Sequence, residues 1–297
     1  MSVVVLLLIT GLGLGALYFL AASGLSLIYG LMRVLNFAHG AFLTLGGYLG
    51  YQVASSFGPE SNSWPVFLLS LVVGAASGAM FAAVVELVLI RRLYEREIEQ
   101  VLVTVGIGLA AVALVIGIWG SDARRYPAPA WMSQATNVLG AQVPNSRFVC
   151  ILAAVVVFAF LSLLLGRTRY GLIIRAGVEN RSMVAALGID VRRSFTAVFV
   201  LGGALAGLGG VLAGLYNASL SPGTGDSLLI FAFIVVVIGG LGSVRGAAVA
   251  AVTVALLQQF ANYYAASGVG DLMVVLALAV VLLVRPQGLF ARSVRIA

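Results

Sequence analysis

The chain is apolar over almost its whole length, and the polar segments that interrupt it are short. Hydrophobic residues make up 62% and charged residues 9% of the 297 residues, and the mean hydropathy is +1.12. A soluble domain needs more polar residues to cover its surface, whereas a helix in lipid satisfies its backbone hydrogen bonds internally. The sequence therefore predicts an all-α fold, a polytopic transmembrane helical bundle in which residues 1–297 form one domain.

Nine apolar segments are candidates for membrane spans, and eight or ten spans fit the same sequence. A helix needs about 20 apolar residues to cross the roughly 30 Å hydrocarbon core, and the seventh and ninth segments are short for this task. The first segment lacks the basic start of a signal peptide, so we expect a retained helix. The segments are residues 3–30, 40–55, 64–90, 101–119, 148–165, 196–216, 226–243, 247–266 and 271–284.

The positive charges are 17 arginines, because the chain contains no lysine. Six lie in residues 167–195, and the positive-inside bias places this segment in the cytoplasm. Nine spans then put the N-terminus outside and the C-terminus inside. Fourteen arginines fall inside, whereas Arg124, Arg125 and Arg147 fall in the external loop formed by residues 120–147. Since the arginines stand at the ends of apolar spans, we expect no nucleic-acid partner.

A short helix is predicted in this cytoplasmic segment at residues 179–187, with Gly188 as its C-terminal stop. An apolar face on such a helix suits docking into a groove of a partner protein. The alternative is a helix packed beneath its own neighbours. The residues concerned are Glu179 at the start, Met183, Val184 and Leu187 on the apolar face, and Ala185 and Ala186 between them.

Asn36 and His39 stand where the polar connector after the first span leads into the second. They are three residues apart, so in a helix they share a face. Polar groups near membrane depth usually face protein or a water-filled cavity, which makes both residues candidates to line a solute path. The alternative is a helix cap whose hydrogen bonds are satisfied locally.

Other polar residues limit the chemistry available. Glu86 lies near Arg91 and Arg92, and we expect an ion pair at the membrane interface rather than a proton carrier. His39 and Cys150 are the only residues of their types, so no His/Cys metal site is expected. Without a lysine the chain cannot form a P-loop, so any energy for transport comes from a partner or an ion gradient.

Glycines recur at four-residue spacing in several of the segments. Such small residues allow close approach of helices in lipid, which predicts a compact bundle rather than a nucleotide site. The pairs are Gly46/Gly50, Gly74/Gly78, Gly203/Gly207, Gly210/Gly214 and Gly242/Gly246.

Four motifs together resemble the branched-chain amino-acid type permeases of bacterial ABC importers, the LivH and LivM proteins. They are GLSLIYGLMRVLNFAHGAFLTLGGYLGY at residues 24–51, RAGVENRSMVAALGIDVRRSF at 175–195, GGLGSVRGA at 239–247 and RPQGLFAR at 285–292. The motifs occur in the family's order and cover nearly the whole chain.

The resemblance implies a multi-pass protein of the bacterial inner membrane. Its expected partners are a second, homologous permease, two cytoplasmic ATPases that bind the ATP, and an external substrate-binding protein. The chain itself is expected to need no cofactor and to catalyse no reaction. The resemblance also identifies the helix at residues 179–187 as the element that contacts an ATPase.

Two positions depart from the family pattern, and both bear on the solute. Many members have a carboxylate directly after the His-Gly pair, where this chain has Ala41, and a lysine before the second glycine motif, where it has Phe231. Branched-chain amino acids remain the first expectation. Systems that look like this one also carry urea, short amides and hydrophobic compounds.

Three other classes compete with this interpretation. A carrier or channel that works alone on a urea-like or amide-like solute would be expected to hold ion-linked acids inside its spans, and few are present. An intramembrane enzyme needs a nucleophile with a base or a set of metal ligands, and a single His with a single Cys supports this poorly. A membrane scaffold would leave the docking helix without a purpose.

Overall fold

A computed structural model describes residues 2–32, 35–58, 62–94, 96–179, 183–184 and 190–290. Over these residues the fold is all-α, as predicted, with four very short strands. The helices are α1 (Ser2–Met32), α2 (His39–Ser56), α3 (Trp64–Val88), α4 (Glu97–Trp119), α5 (Ser146–Arg167), α6 (Arg169–Glu179), α7 (Val191–Asn217), α8 (Thr224–Gly239), α9 (Val244–Tyr264) and α10 (Val269–Val284).

Nine of these helices coincide with the nine apolar segments of the sequence. Among the described residues, six are long and apolar enough to cross a membrane: α1, α3, α4, α5, α7 and α9. The helix α2 is less apolar, and α8 and α10 have 16 residues each. Sixteen residues span only about 24 Å, less than the hydrocarbon core. The helix α6, an amphipathic helix in the arginine-rich segment, was not predicted from the sequence.

Two sets of four helices, α1–α4 and α7–α10, pack against each other in a reciprocal way. The helix α3 packs on α7 as α9 packs on α1, and α2 packs on α7 as α8 packs on α1. The helices α1 and α7 are antiparallel: the Tyr216 hydroxyl donates to the Thr10 carbonyl at 3.1 Å, and Gly24 lies against Gly202. The bundle is therefore built from two similar halves of opposite direction, an arrangement that is common in transporters.

Glycines bring the buried helices into backbone contact. A Cβ at Gly207 would overlap the carbonyl oxygen of Gly74 on α3 and would meet Gly78 as well. On α2, Gly46 lies against Gly207, so three helices meet at this glycine of α7. The predicted close packing through four-residue glycine spacing is confirmed here, and it leaves α7 among the most deeply buried helices.

One end of the bundle carries a small cap. Residues Ala135–Val138 pair with Ala141–Pro144 in a hairpin, and Arg124–Arg125 pair with Ser219–Leu220 after α7. Tyr126 fits against Gly50 and Gly214 at this end, and burial raises the pKa of its phenol. Apart from Ser219–Leu220, this cap lies within residues 120–147, the segment assigned to the external loop.

The opposite end gathers the ends of helices that carry arginines. Glu86 near the end of α3 reaches Thr196 in the second turn of α7, and Gly30 near the end of α1 contacts Gly242 before α9. Arginines at this end include Arg91, Arg92, Arg192, Arg193 and Arg245. The cap end holds Arg124, Arg125 and Arg147, the last of which donates to the Tyr216 carbonyl at 2.5 Å.

Candidate functional site

The helices α2 and α8 both begin inside the bundle, and their first turns touch each other. A Cβ at Gly225 would overlap the carbonyl oxygen of Gly40, and a Cβ at Gly40 would lie 2.9 Å from Asp226 Oδ1. The chain reaches α2 from the arginine-rich end and α8 from the cap end. Two helix N-termini, each with a partial positive charge, thus meet within the protein. Discontinuous helices of this kind form the solute sites of many transporters.

Asn36 lies in the turn that leads into α2. Its side chain is 2% exposed, and Oδ1 accepts a hydrogen bond of 3.1 Å from the Ala38 N–H. Its carbonyl oxygen accepts from the His39 N–H at 3.2 Å. The amide nitrogen Nδ2 is buried and has no hydrogen-bond partner among the described residues. The oxygen therefore satisfies a local hydrogen bond in the turn before α2, although no side chain caps the helix itself, and the nitrogen stays available.

His39 is the first residue of α2 and is fully buried. Its Nε2 lies 3.0 Å from the Ala21 carbonyl oxygen of α1, and its ring packs beside Gly24. Its Nδ1 has no partner in the part of the chain that the structure describes. The two sequence-predicted path residues do not share a helical face, because Asn36 precedes the helix. The prediction of a shared helical face was therefore wrong, and His39 packs against α1. A place for either residue in a solute path stays a prediction.

An apolar groove of about 350 Å³ runs beside this turn. It lies between the second half of α1, the turn before α2, and one face each of α8 and α10. Asn36 lines the groove and His39 does not. Its lining includes Leu25, Asn36, Phe37, Leu229, Ile230 and Phe233.

Asp226 is the third residue of α8 and is exposed. Its carboxylate makes no hydrogen bond or ion pair with any residue that the structure describes. Leu229, Ile230 and Phe233 follow it by three, four and seven residues, so they share its helical face. Asp226 therefore stands one turn beyond the groove. Sequence reasoning placed this carboxylate at the end of a span and gave it no role.

Phe231, where the family resemblance expects a lysine, faces α1. Its ring stacks on Tyr18 with centroids 4.9 Å apart and planes 12° from parallel. The Tyr18 hydroxyl donates to Gln258 Oε1 at 2.6 Å, and Gln258 Nε2 donates to Asp271 at 2.6 Å. Phe231 therefore packs against Tyr18, whose hydroxyl is hydrogen-bonded through Gln258 to Asp271.

Glu86 is fully buried near the arginine-rich end. Its carboxylate accepts hydrogen bonds from the Tyr94 hydroxyl and, at 2.8 Å, from the Thr196 hydroxyl. Arg91 and Arg92 are exposed and make no ion pair with it. The predicted ion pair is therefore wrong, and two hydroxyl groups stabilise the carboxylate instead.

The predicted docking helix at residues 179–187 lies largely outside the described residues. Glu179 ends α6, and Met183 and Val184 are helical. Met183 is 61% exposed, whereas Val184 is 3% exposed and packs in the core. The two residues thus do not form one exposed face. Ala185, Ala186, Leu187 and Gly188 lie outside the described residues.

Asp190 is the N-cap of α7. The Asp190 carboxylate accepts from the Arg193 N–H at 3.1 Å and forms an ion pair with the Arg193 side chain at 3.1 Å. An acidic N-cap favours the start of a helix, so α7 begins at a well-defined point. This start lies directly beside the contact between Thr196 and Glu86.

Comparison with known proteins agrees with this architecture. The model of the branched-chain amino acid transport system permease component matches residues 7–285. The chain is 25% identical to the high-affinity branched-chain amino acid permease LivH of Escherichia coli, over 95% of this chain and 94% of LivH. It is 27% identical to BraD of Pseudomonas aeruginosa, over 96% and 95%.

A more distant relative is the fructose import permease FruF of Bifidobacterium longum, 27% identical over 85% of this chain and 69% of FruF. No solved structure matches the chain. The family match covers nearly every described helix, including α2 and α8 with their meeting point. The chain therefore belongs to the permease components of branched-chain amino acid transport systems.

Proposed function

We propose that this chain is a permease subunit of an ATP-driven importer in a bacterial inner membrane. The observation that carries the proposal is the match to the permease family over residues 7–285, on a bundle in which two discontinuous helices meet. The solute is a branched-chain amino acid or a related small molecule, delivered by an external binding protein. The relatives LivH and BraD, whose names specify branched-chain amino acids, support this choice.

The energy comes from partner subunits. The chain has no lysine and therefore no P-loop of its own. A second, homologous permease completes the membrane part. Two cytoplasmic ATPases bind the ATP, and one of them contacts the segment at residues 167–195. Met183, which is exposed, suits an apolar contact with an ATPase.

The proposed topology has nine spans, with the N-terminus outside and the C-terminus inside. The separation of Arg124, Arg125 and Arg147 from the arginines of the other end supports it. The shorter α8 fits this count because it begins within the protein, where backbone groups contact other helices rather than lipid. The residues 120–147 then form the external loop.

Cysteine labelling tests this orientation. In a Cys150→Ser background, Ser133→Cys should react with an impermeant thiol reagent added to intact cells. Ser194→Cys should react only in inside-out vesicles. The vesicle sample also controls for burial, because Ser194 is only half-exposed. Labelling of Ser194→Cys in intact cells would contradict the topology.

The cycle is a rigid-body step rather than local chemistry. Closure of the ATPases pulls the segment at residues 167–195, and the well-capped start of α7 transmits the movement. Because α7 contacts α2 and α3 through glycine backbone, it cannot move without them. The movement thereby reaches the turn at Asn36 and opens the path to alternate sides of the membrane.

The runner-up function is a carrier or channel that works alone on a urea-like or amide-like polar solute. Purification of the tagged chain from native membranes separates the two functions. Our proposal requires copurification of a second permease and ATPases. The associated binding protein should then bind leucine, isoleucine or valine in a panel that also contains urea, short amides and sugars. A chain that purifies alone and transports unaided would support the runner-up.

A further inference from the structure

We propose that Asp226 binds the positively charged amino group of the transported solute, and that the adjacent groove receives its apolar side chain. This inference rests on the proposed function, because it assumes that a solute passes this point.

Asp226 lies deep in the bundle. Asp226 is 13 residues before Gly239, which is about 20 Å along α8. Its neighbour Gly40 is 16 residues before Ser56, which is about 24 Å along α2 in the opposite direction. The carboxylate therefore lies near mid-depth, between the two ends of the protein.

The surroundings of the Asp226 carboxylate are restricted by its depth. Asp226 is exposed on the surface of this chain and has no partner within the residues described. An ionised carboxylate facing lipid at mid-depth costs several kcal/mol, so acids at this depth face a water-filled cavity or a protein partner. The exposed face at the start of α8 is thus not a lipid-facing surface.

Two buried polar atoms near the start of α8 have no partner among the described residues. Thr44 is 1% exposed, its Oγ1 has no described partner, and this oxygen lies against Gly225, next to Asp226. Asn36 is 2% exposed, lines the groove, and its Nδ2 is also unpartnered. Buried polar atoms are nearly always satisfied, so two unpartnered atoms, one against Gly225 and one beside the groove, indicate a polar ligand near the start of α8.

The shape of the site selects the class of solute. A carboxylate prefers a cation, and a charge-assisted hydrogen bond to an ammonium group is stronger than one to a neutral amide. One turn along α8, Leu229 and Ile230 begin an apolar groove of about 350 Å³, which is large enough for an aliphatic side chain. The expected solute is therefore a small primary amine with an apolar body, such as an aliphatic amino acid, and not urea.

A simpler role for Asp226 is electrostatic. An acidic residue in the first turn of a helix interacts favourably with the helix dipole, whether or not a solute is present. That role and solute binding respond differently to substitution. A dipole role changes the stability of the protein, whereas solute binding changes the concentration dependence of uptake.

The test uses the complete complex in proteoliposomes, with uptake of leucine and of an uncharged amide of similar size measured over a range of concentrations. The variants are Asp226→Asn, which removes the charge but keeps the shape, Asp226→Glu, which keeps the charge, and Ser227→Ala as a neighbour on the same turn. We expect Asp226→Asn to raise the half-saturating concentration of leucine about tenfold or more, with an unchanged melting temperature. Asp226→Glu should lose less, and Ser227→Ala should behave like the wild type.

Three outcomes would overturn the inference. Wild-type leucine uptake by Asp226→Asn would show that the carboxylate does not bind the solute. A lower melting temperature with unchanged half-saturation would establish the dipole role instead. Preference of the wild-type complex for the uncharged amide would exclude an amine site. Absence of uptake of every solute by the wild-type complex is distinguishable from these results and would overturn the proposed function together with this site.

Discussion

The Thr196 hydroxyl donates a hydrogen bond of 2.8 Å to the Glu86 carboxylate, which joins the beginning of α7 to the end of α3. Tyr94, in the connection to α4, donates to the same carboxylate, and its ring packs edge-on against Phe195 at 5.4 Å. Glu86 is fully buried, so these bonds form in a region with little water. We therefore expect a movement of the arginine-rich segment to reach α3 and the connection to α4 as well as α7.

Thr196→Val tests this connection. The substitution keeps the shape of the side chain and removes one of the two hydroxyls that satisfy a buried carboxylate. We expect the free energy of unfolding to fall by about 1–3 kcal/mol, and coupling of ATP hydrolysis to uptake to weaken. Thr196→Ser retains the hydroxyl and serves as the control. If both variants equal the wild type in stability and in coupling, the bond between Thr196 and Glu86 contributes to neither.

A second prediction concerns the glycine contact at the centre of the bundle. Gly207→Ala places a methyl group where the backbone of Gly74 and Gly78 already lies, so α3 and α7 must move apart. We expect the free energy of unfolding to fall by about 1–3 kcal/mol or more, which would lower the melting temperature in detergent. Gly106→Ala on α4 is the matched control, because a Cβ there meets nothing within 4 Å. A melting temperature of Gly207→Ala at or above that of the control would contradict the packing.

The role of Asn36 can be separated into its two polar atoms. Its oxygen caps the turn before α2, and its nitrogen is unpartnered beside the groove. Asn36→Leu removes both functions, whereas Asn36→Ser keeps an acceptor for the turn and removes the amide nitrogen. We expect both variants to assemble and both to transport at less than about a tenth of the wild-type rate. Normal uptake by Asn36→Ser would assign Asn36 to the turn alone.

How far the sequence leads can be judged from particular elements. The nine helices that match apolar segments were predictable because each segment is an uninterrupted apolar run, as expected of a lipid-facing or buried helix. The close packing of α3 on α7 was also predictable, because the glycine spacing of Gly74/Gly78 and Gly203/Gly207 permits backbone contact. Both depend on local patterns that a single segment carries.

The candidate site depends on contacts between distant segments. Nothing near Asp226 in the sequence indicates that α8 starts deep in the bundle, since this depth is set by the contact of Gly225 with Gly40 on α2. The neighbouring arginines of Glu86 suggested an ion pair, whereas its hydroxyl partner Thr196 stands 110 residues further along the chain. The helix α6 was missed because its apolar residues form only a stripe between arginines.

Docking of an ATPase is tested at Leu187 and Met183. Leu187→Asp places a charge in the proposed apolar contact, at a cost of a few kcal/mol, which loosens binding by roughly two orders of magnitude. Met183→Asp should have a similar effect, since Met183 is exposed. We expect both variants to insert normally and to lose ATPase copurification or solute-stimulated ATP hydrolysis. If both variants retain ATPase copurification, solute-stimulated ATP hydrolysis and normal uptake, this segment is not the coupling element.

The most direct test of the central claim is the energy source of uptake in proteoliposomes. One preparation holds the purified complex of this chain with its second permease and ATPases, and a second holds this chain alone. With the binding protein and labelled leucine on the external side and ATP enclosed in the lumen, our account predicts accumulation only in the first preparation. It also predicts loss of accumulation when ATP is replaced by a non-hydrolysable analogue. Accumulation by the chain alone, driven by a sodium or proton gradient without ATP, would contradict it.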